Sequence, residues 1–110
     1  MRIEYAKLAL ERILEIAEFR FPDEPERARA WMGEVIEHAA QLEIFPNMGR
    51  RLRSIGSPAG EEQNVRRLLF KDVWIVYEVR EVDPESDDEH PDDHILVLTV
   101  RHVREKPDED

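Results

Sequence analysis

Residues 42–50 read LEIFPNMGR, and they mark the point at which the pattern of the chain changes from helical to extended. Pro46 cannot continue a helix, because its ring clashes with the preceding turn and it has no backbone N–H group. Gly49 permits a backbone turn with positive φ, and we expect Phe45 to close the bottom of the hydrophobic core. These three residues therefore have structural explanations, whereas Arg50 has none.

Two amphipathic helices are predicted upstream of this stretch. The first begins near Ala6, and its apolar side chains recur with a period of about 3.6 residues at Leu10, Ile13, Leu14, Ala17 and Phe21. After a break at residues 21–25, a second apolar stripe comprises Ala28, Trp31, Met32, Val35, Ala39 and Leu42. Asp23 is placed to cap the second helix, with Glu26 completing a capping box. The short connection predicts an antiparallel helical hairpin.

Downstream, residues 50–64 are polar and predict a loop. Residues 65–70 and 73–79 are rich in β-branched and aromatic side chains, and the two residues between them, Lys71 and Asp72, fit a tight hairpin turn. Together these segments predict two strands of an antiparallel sheet.

Two further strands complete the predicted fold, a short one at residues 3–5 and a buried one at the apolar run 95–100. The order is βααβββ, an α+β fold in which an N-terminal helical hairpin packs on an antiparallel β-sheet. We expect one domain over residues 1–104, with an acidic loop at 81–94 and an acidic tail at 105–110.

The net charge of −10 over 110 residues is unevenly distributed. Residues 81–94 contain eight acidic residues and no lysine or arginine, and residues 105–110 contain four acidic residues and one lysine. The other residues therefore carry a net charge of +1. Within them, residues 50–71 contain six basic residues and only two acidic ones. An acidic chain thus contains a locally basic middle, which we interpret as either solvated surface or a functional face.

Four short motifs occur in the order and spacing of the RelE/ParE superfamily of bacterial toxins. The most specific, Leu42-x-x-Phe45-Pro46-x-Met48-Gly49-Arg50, is similar to a segment of ParE-like proteins. The others resemble the first helix, the hairpin and the closing strand of the family: Leu10-x-x-Ile13, Val65-Arg66-Arg67-Leu68 with Val76-Tyr77-Glu78-Val79, and Val97-Leu98-x-Val100-x-His102-x-Arg104. Because these four motifs span nearly the whole chain, the protein resembles a ParE-like toxin of the plasmid-stabilisation type.

The resemblance implies a cytoplasmic toxin of a type II toxin–antitoxin system that is neutralised by a cognate antitoxin, as a homodimer or within a toxin–antitoxin hetero-oligomer. ParE-like members poison DNA gyrase, whereas RelE-like members cut mRNA on the ribosome. The ParE-like motif at residues 42–50 favours gyrase. A non-toxic binding module of the same fold is a third hypothesis, because the charge of −10 opposes contact with nucleic acid. The same acidity predicts an antitoxin that is less acidic than usual, or even basic in its binding segment.

RNA cleavage would need a base, an acid and cations around the phosphate. By resemblance to RelE-like sites, the candidate catalytic residues are His102, Arg104 and Arg67. The set is incomplete, because Trp74 stands where RelE has an arginine and no tyrosine follows residue 102. A purely structural role for His102 is the alternative. We expect Trp31 and Trp74 to be core aromatic residues, and Tyr77 to pack in the core or on a face of the sheet.

The candidate target-binding residues are Arg50, Arg51 and Arg66, which belong to the basic middle of the chain. Arg66 and Arg67 are adjacent, so on a strand they point to opposite faces. No metal site is predicted, because the spacing of His90 and His94 among the acidic residues matches no metal-binding motif. No cofactor and no membrane association are expected.

Overall fold

A computed structural model describes residues 2–52, 65–80 and 93–103 of the chain. Strand β1 (Arg2–Tyr5) precedes helices α1 (Lys7–Arg20) and α2 (Pro25–Ala39), and a short 3-10 helix (Ala40–Glu43) extends the second helix. The later strands are β2 (Arg50–Arg51), β3 (Val65–Phe70), β4 (Val73–Arg80) and β5 (His94–His102). Most of the predicted acidic loop and the whole predicted acidic tail, residues 81–92 and 105–110, lie outside the described residues.

The strands form one sheet in the order β1-β5-β4-β3-β2. This confirms the α+β fold, with a helical hairpin before the main strands and a turn at Lys71 and Asp72. Two details differ from the sequence prediction. The sheet is mixed, because β1 pairs with β5 in parallel. Arg50 and Arg51, predicted to lie in a loop, form β2 because they pair with Arg67 and Arg66 of β3.

The hydrophobic core lies between one face of the sheet and the two helices. Along β4, buried side chains alternate with half-buried ones, so Val73, Ile75, Tyr77 and Val79 face the helices. The opposite face of the sheet, which we call the outer face, carries Trp74, Val76 and Glu78. Trp31 of α2 is buried in the core, as predicted, whereas Trp74 is half-buried on the outer face. The core prediction for Trp74 was therefore wrong.

The helices differ from their predictions at the periphery. In α1, Leu10 and Leu14 remain about half exposed, while the smaller Ala9 and the neighbouring Ile16 are buried. The helix is rotated toward its small residues, which allow it to lie close to β5. Asp23 does not cap α2: Glu24 is the N-cap, without a side-chain hydrogen bond, and Pro25 is the first helical residue. Proline suits that position because its φ is already helical.

Tyr77 joins the end of the helical region to the sheet. Its fully buried hydroxyl donates a hydrogen bond to the Pro46 carbonyl oxygen (2.9 Å) and accepts one from the Gly49 N–H group (2.9 Å). Burial raises the pKa of Tyr77 above its ordinary value of 10.0, so the hydroxyl keeps the proton that it donates. The turn through residues 46–49 is therefore fastened directly to the central strand β4.

Position 49 requires glycine because neighbouring atoms approach its backbone closely, and not because its φ is positive. Lys71, in the β3–β4 turn, is the only non-glycine residue of the described segments with positive φ (53°), and the φ of Gly49 is not in that region. A Cβ atom on Gly49 would lie 2.6 Å from the Tyr77 hydroxyl oxygen and 2.8 Å from the Arg67 carbonyl oxygen. The prediction of a positive-φ turn at Gly49 was wrong, and the required feature is the absence of a side chain.

Tyr77→Phe should lower the free energy of unfolding by about 1–3 kcal/mol, because it leaves the Gly49 N–H and the Pro46 carbonyl without their buried partner. Tyr5→Phe is the matched control, since the structure shows no hydrogen bond to the Tyr5 hydroxyl from the described residues. Urea unfolding of both variants measures the difference. Equal losses in the two variants would contradict the role given to the Tyr77 hydroxyl.

Alanine substitutions at two glycines should have opposite signs. Gly33→Ala in α2 should stabilise the chain by about 0.5–1 kcal/mol, because its Cβ would meet no atom within 4 Å and alanine favours the helix. Gly49→Ala should destabilise it by about 1–3 kcal/mol through the clash with Tyr77. Thermal and urea unfolding of the pair would show shifts in opposite directions. A stabilising effect at Gly49 would refute the close-approach explanation.

Candidate interaction surfaces

The stretch that follows the 3-10 helix presents apolar side chains to solvent. We call residues 44–49 the exit segment. The exposed fractions of Ile44, Phe45 and Met48 are 74%, 60% and 43%, respectively. The prediction that Phe45 closes the core is therefore wrong. Leu42 of the 3-10 helix, which is fully buried, closes it instead. Tyr77 holds the backbone of the exit segment in place by hydrogen bonds. The apolar side chains of the exit segment therefore have a defined position on the surface.

Of the three arginines predicted to bind a target, Arg66 has a structural role. Its guanidinium donates hydrogen bonds to the carbonyl oxygens of Gly49 (2.9 Å) and Asn47 (3.3 Å), and so supports the exit segment from β3. Arg51 lies opposite Arg66 in the pairing of β2 with β3. Arg50 lies opposite Arg67 and is exposed. The structure thus places Arg50 and Arg51 at the sheet edge next to the exit segment.

His102 lies on the core-facing side of the sheet, at the end that is distant from the exit segment, and it pairs with Val73. Its Nε2 atom is 3.3 Å from the Oδ2 atom of Asp72, in the turn between β3 and β4. Asp72 also forms an ion pair with Arg20, the last residue of α1. Arg20 in turn lies over the ring of Trp31, 5.4 Å from its centroid. His102 is therefore one member of a cluster that joins the hairpin turn to both helices.

The charge of Asp72 is favoured by this cluster. The hydrogen bond from Arg20 is the main reason that the pKa of Asp72 lies below its ordinary value of 3.8, and the positive charges of Arg20 and His102 act in the same direction. Partial burial opposes them. This ion pair could not be predicted from sequence, because Arg20 and Asp72 are far apart in the chain and belong to no common motif.

Of the three candidate catalytic residues, the structure describes Arg67 and His102, and it does not bring these two together. Arg67 points to the outer face, where it pairs with Val76 and its guanidinium lies over the ring of Trp74 (4.2 Å to the centroid). His102 lies on the core side of the sheet, opposite Val73. Arg104 lies outside the described residues. Arg67 and His102 are thus separated by the thickness of the sheet.

Across residues 2–52, 65–80 and 93–103, no three His, Asp or Glu side chains are grouped closely enough to hold a metal ion. None of the helices there is long and apolar enough to cross a membrane.

Asp72→Asn should reduce stability in a pH-dependent way, because it removes the charge while keeping a side chain that suits a turn. The folded-state pKa of Asp72 is lowered, so its stabilising contribution is present above the ordinary pKa of 3.8 and is lost as the pH falls through the folded-state value. The native chain should therefore exceed the variant in unfolding free energy near neutral pH. This difference should shrink below about pH 4.

The control is Asp23→Asn, which removes a carboxylate from the connection between α1 and α2. Because 45% of the Asp72 side chain is exposed, solvent screens the ion pair and the expected loss is modest. Urea unfolding over a series of pH values measures both variants. A loss in Asp72→Asn that stays constant through acid pH would contradict an electrostatic contribution.

Comparisons with known proteins agree with this architecture. Residues 3–107 match the family model of the ParE toxin of type II toxin–antitoxin system, parDE. A solved structure, described as the chromosomal ParDE toxin–antitoxin system from P. aeruginosa, aligns with 94% of this chain and 96% of its own. Its TM-score is 0.62 and its sequence identity 18%, so the likeness concerns the fold. A search of curated proteins gave no significant match. The family match spans nearly the whole sequence, and the chain belongs to the ParE toxin family of type II toxin–antitoxin systems.

Proposed function

We propose that this chain inhibits DNA gyrase by direct protein–protein contact, and that a cognate antitoxin neutralises it. Membership of the ParE toxin family implies an antitoxin partner. The gyrase target follows from the ParE-like character of residues 42–50. The observation that carries the proposal is the exit segment, where Ile44, Phe45 and Met48 are exposed beside Arg50.

The composition and rigidity of this surface suit a protein interface. Aromatic, methionine and arginine side chains are enriched in protein–protein interfaces, and a few of them usually supply most of the binding energy. Tyr77 and Arg66 hold the backbone of the exit segment through hydrogen bonds. A surface that is already ordered loses less conformational entropy on binding, which favours affinity.

The geometry favours inhibition by contact over RNA cleavage. A general acid or base must reach the reacting group together with the cations that stabilise it. Arg67 and His102 lie on opposite faces of the sheet, and His102 lies beside Asp72. We therefore assign His102 a structural role, and we assign target contact to the exit segment with Arg50 and Arg51.

The test measures inhibition of gyrase supercoiling by the purified chain, and growth arrest when the chain is expressed from a tightly controlled promoter. The double variant Phe45→Ala, Arg50→Ala should need at least about tenfold more protein for the same inhibition, which corresponds to the loss of one strong interface contact. Phe19→Ala is the matched control, because Phe19 is an 87% exposed phenylalanine on α1, outside the exit segment. It should inhibit like the native chain.

His102→Ala separates the two toxin mechanisms. Gyrase inhibition and growth arrest by this variant, when it is folded, would support the contact mechanism. Loss of arrest on substitution of His102, together with ribosome-dependent mRNA cleavage by the native chain, would instead establish the nuclease alternative. Soluble, folded native protein that neither arrests growth nor affects gyrase would refute the proposal and favour a non-toxic binding module.

A further inference from the structure

A second surface lies on the outer face of the sheet, away from the helices. Leu69 of β3 pairs with Trp74 of β4, and Trp74 pairs with Arg101 of β5. Arg67 lies beside them with its guanidinium over the Trp74 ring. We call Arg67, Leu69, Trp74 and Arg101 the arginine–tryptophan patch. Arg50 borders it, since Arg50 pairs with Arg67.

Within the described segments, the cations of this patch lack the carboxylate partners that other arginines on the same face have. Arg80 is ion-paired with Glu78 (2.7 Å), and Arg2 with Glu4 (2.9 Å). In contrast, no carboxylate among the described residues lies within ion-pairing distance of Arg50, Arg67 or Arg101. Among the residues that the structure describes, the carboxylates of this face therefore pair with arginines at one end of the sheet, and the guanidinium groups of the patch have no acidic partner.

The Arg67 guanidinium is only partly satisfied by the described residues. Its Nε atom is inaccessible to solvent and forms no hydrogen bond with them, and leaving a charged donor unsatisfied in this way is unfavourable. A carboxylate is a suitable ligand for a guanidinium group, because it can accept two parallel hydrogen bonds from it.

The apolar part of the patch narrows the choice of ligand. Leu69 is 48% exposed and Trp74 is half-buried beside it, so a ligand that covers the patch must bury apolar surface as well as neutralise charge. The Arg67 guanidinium already occupies the ring of Trp74, which leaves less of that ring for stacking with a nucleic-acid base. These features favour a peptide over a single-stranded nucleic acid.

Local charge rather than net charge governs such a contact. The chain carries −10 overall, from which we expected a weakly acidic or basic partner segment. At physiological ionic strength, however, screening limits exposed charges to a range of about 8 Å. A ligand seated on the patch therefore experiences mainly its arginines. We propose that the arginine–tryptophan patch binds an acidic segment of a partner protein that also carries an apolar side chain, whichever essential process the toxin inhibits.

Fluorescence anisotropy with the full-length chain tests this proposal. The probe is a short labelled peptide that alternates glutamate with leucine, and the comparison probes are its glutamine counterpart and a labelled single-stranded oligonucleotide. Arg67→Gln and Arg101→Gln should each weaken binding of the glutamate peptide by about tenfold, the effect of losing one charge-assisted hydrogen bond. Arg27→Gln, which removes the same charge from α2, is the matched control and should bind like the native chain.

The readouts distinguish the occupants. Binding of the glutamate peptide but not of the glutamine peptide, with a decrease at higher salt and a change in Trp74 emission, would support the proposal. Equal weakening by Arg27→Gln would show attraction without a defined site and would overturn it. Preferential binding of the oligonucleotide would assign the patch to nucleic acid, and concentration-dependent self-association through the patch would assign it to a second copy of the chain. Circular dichroism confirms that each variant is folded.

Discussion

The buried hydroxyl of Tyr77 is the interaction on which the arrangement of this molecule depends. It accepts a hydrogen bond from Gly49 and donates one to Pro46, and so ties the chain to β4 at the point where the helical half becomes the sheet. Arg66 adds a second set of hydrogen bonds from β3 to the same turn. The core can therefore close over Leu42 while Phe45 and Met48 remain outside. The exit segment, which has no regular secondary structure, is therefore held by hydrogen bonds from two strands of the sheet.

A second cluster fastens the opposite end of the sheet. Asp72 in the hairpin turn contacts Arg20 of α1 and His102 of β5, and Arg20 lies over Trp31 of α2. Charged groups can be placed there because each has an opposite charge or an aromatic ring beside it. With Tyr77 at one end and Asp72 at the other, the helical hairpin is fixed on the sheet at both ends.

Hydrophobic periodicity and turn residues predicted the α+β fold, the helical hairpin and the β3–β4 turn. In α1 they correctly predicted that Ile13 and Ala17 are buried. They did not predict that Leu10 and Leu14 are about half exposed while Ala9 is buried, because leucines and small residues both form apolar stripes there and packing on β5 favoured the smaller side chain. The motif at residues 42–50 located the exit segment correctly. Its exposed Phe45 could not be inferred, because a phenylalanine beside a proline fits a core position equally well.

In the candidate site, too, local features could be predicted from sequence, whereas contacts between distant residues could not. Residue type and alternation along a strand correctly separated Arg66 from Arg67 onto opposite faces. They could not show that Arg66 holds backbone carbonyls, nor that His102 lies beside Asp72, since both contacts join residues from different parts of the sequence. Alternation along β4 also puts Trp74 on the other face of the sheet from Val73 and Ile75. This alternation was the sequence signal that Trp74 lies outside the core.

The parallel pairing of β1 with β5 has a consequence for the order of events during synthesis. Arg2 is translated before its partner in the sheet, His94, and the two are far apart in the sequence. Because β5 lies between β1 and β4, the sheet cannot be completed until β5 has left the ribosome. Contacts between residues so distant in sequence also slow folding. Until β5 has been synthesised, β1 and β4 therefore lack the strand that joins them, and β1 stays without its partner in the sheet.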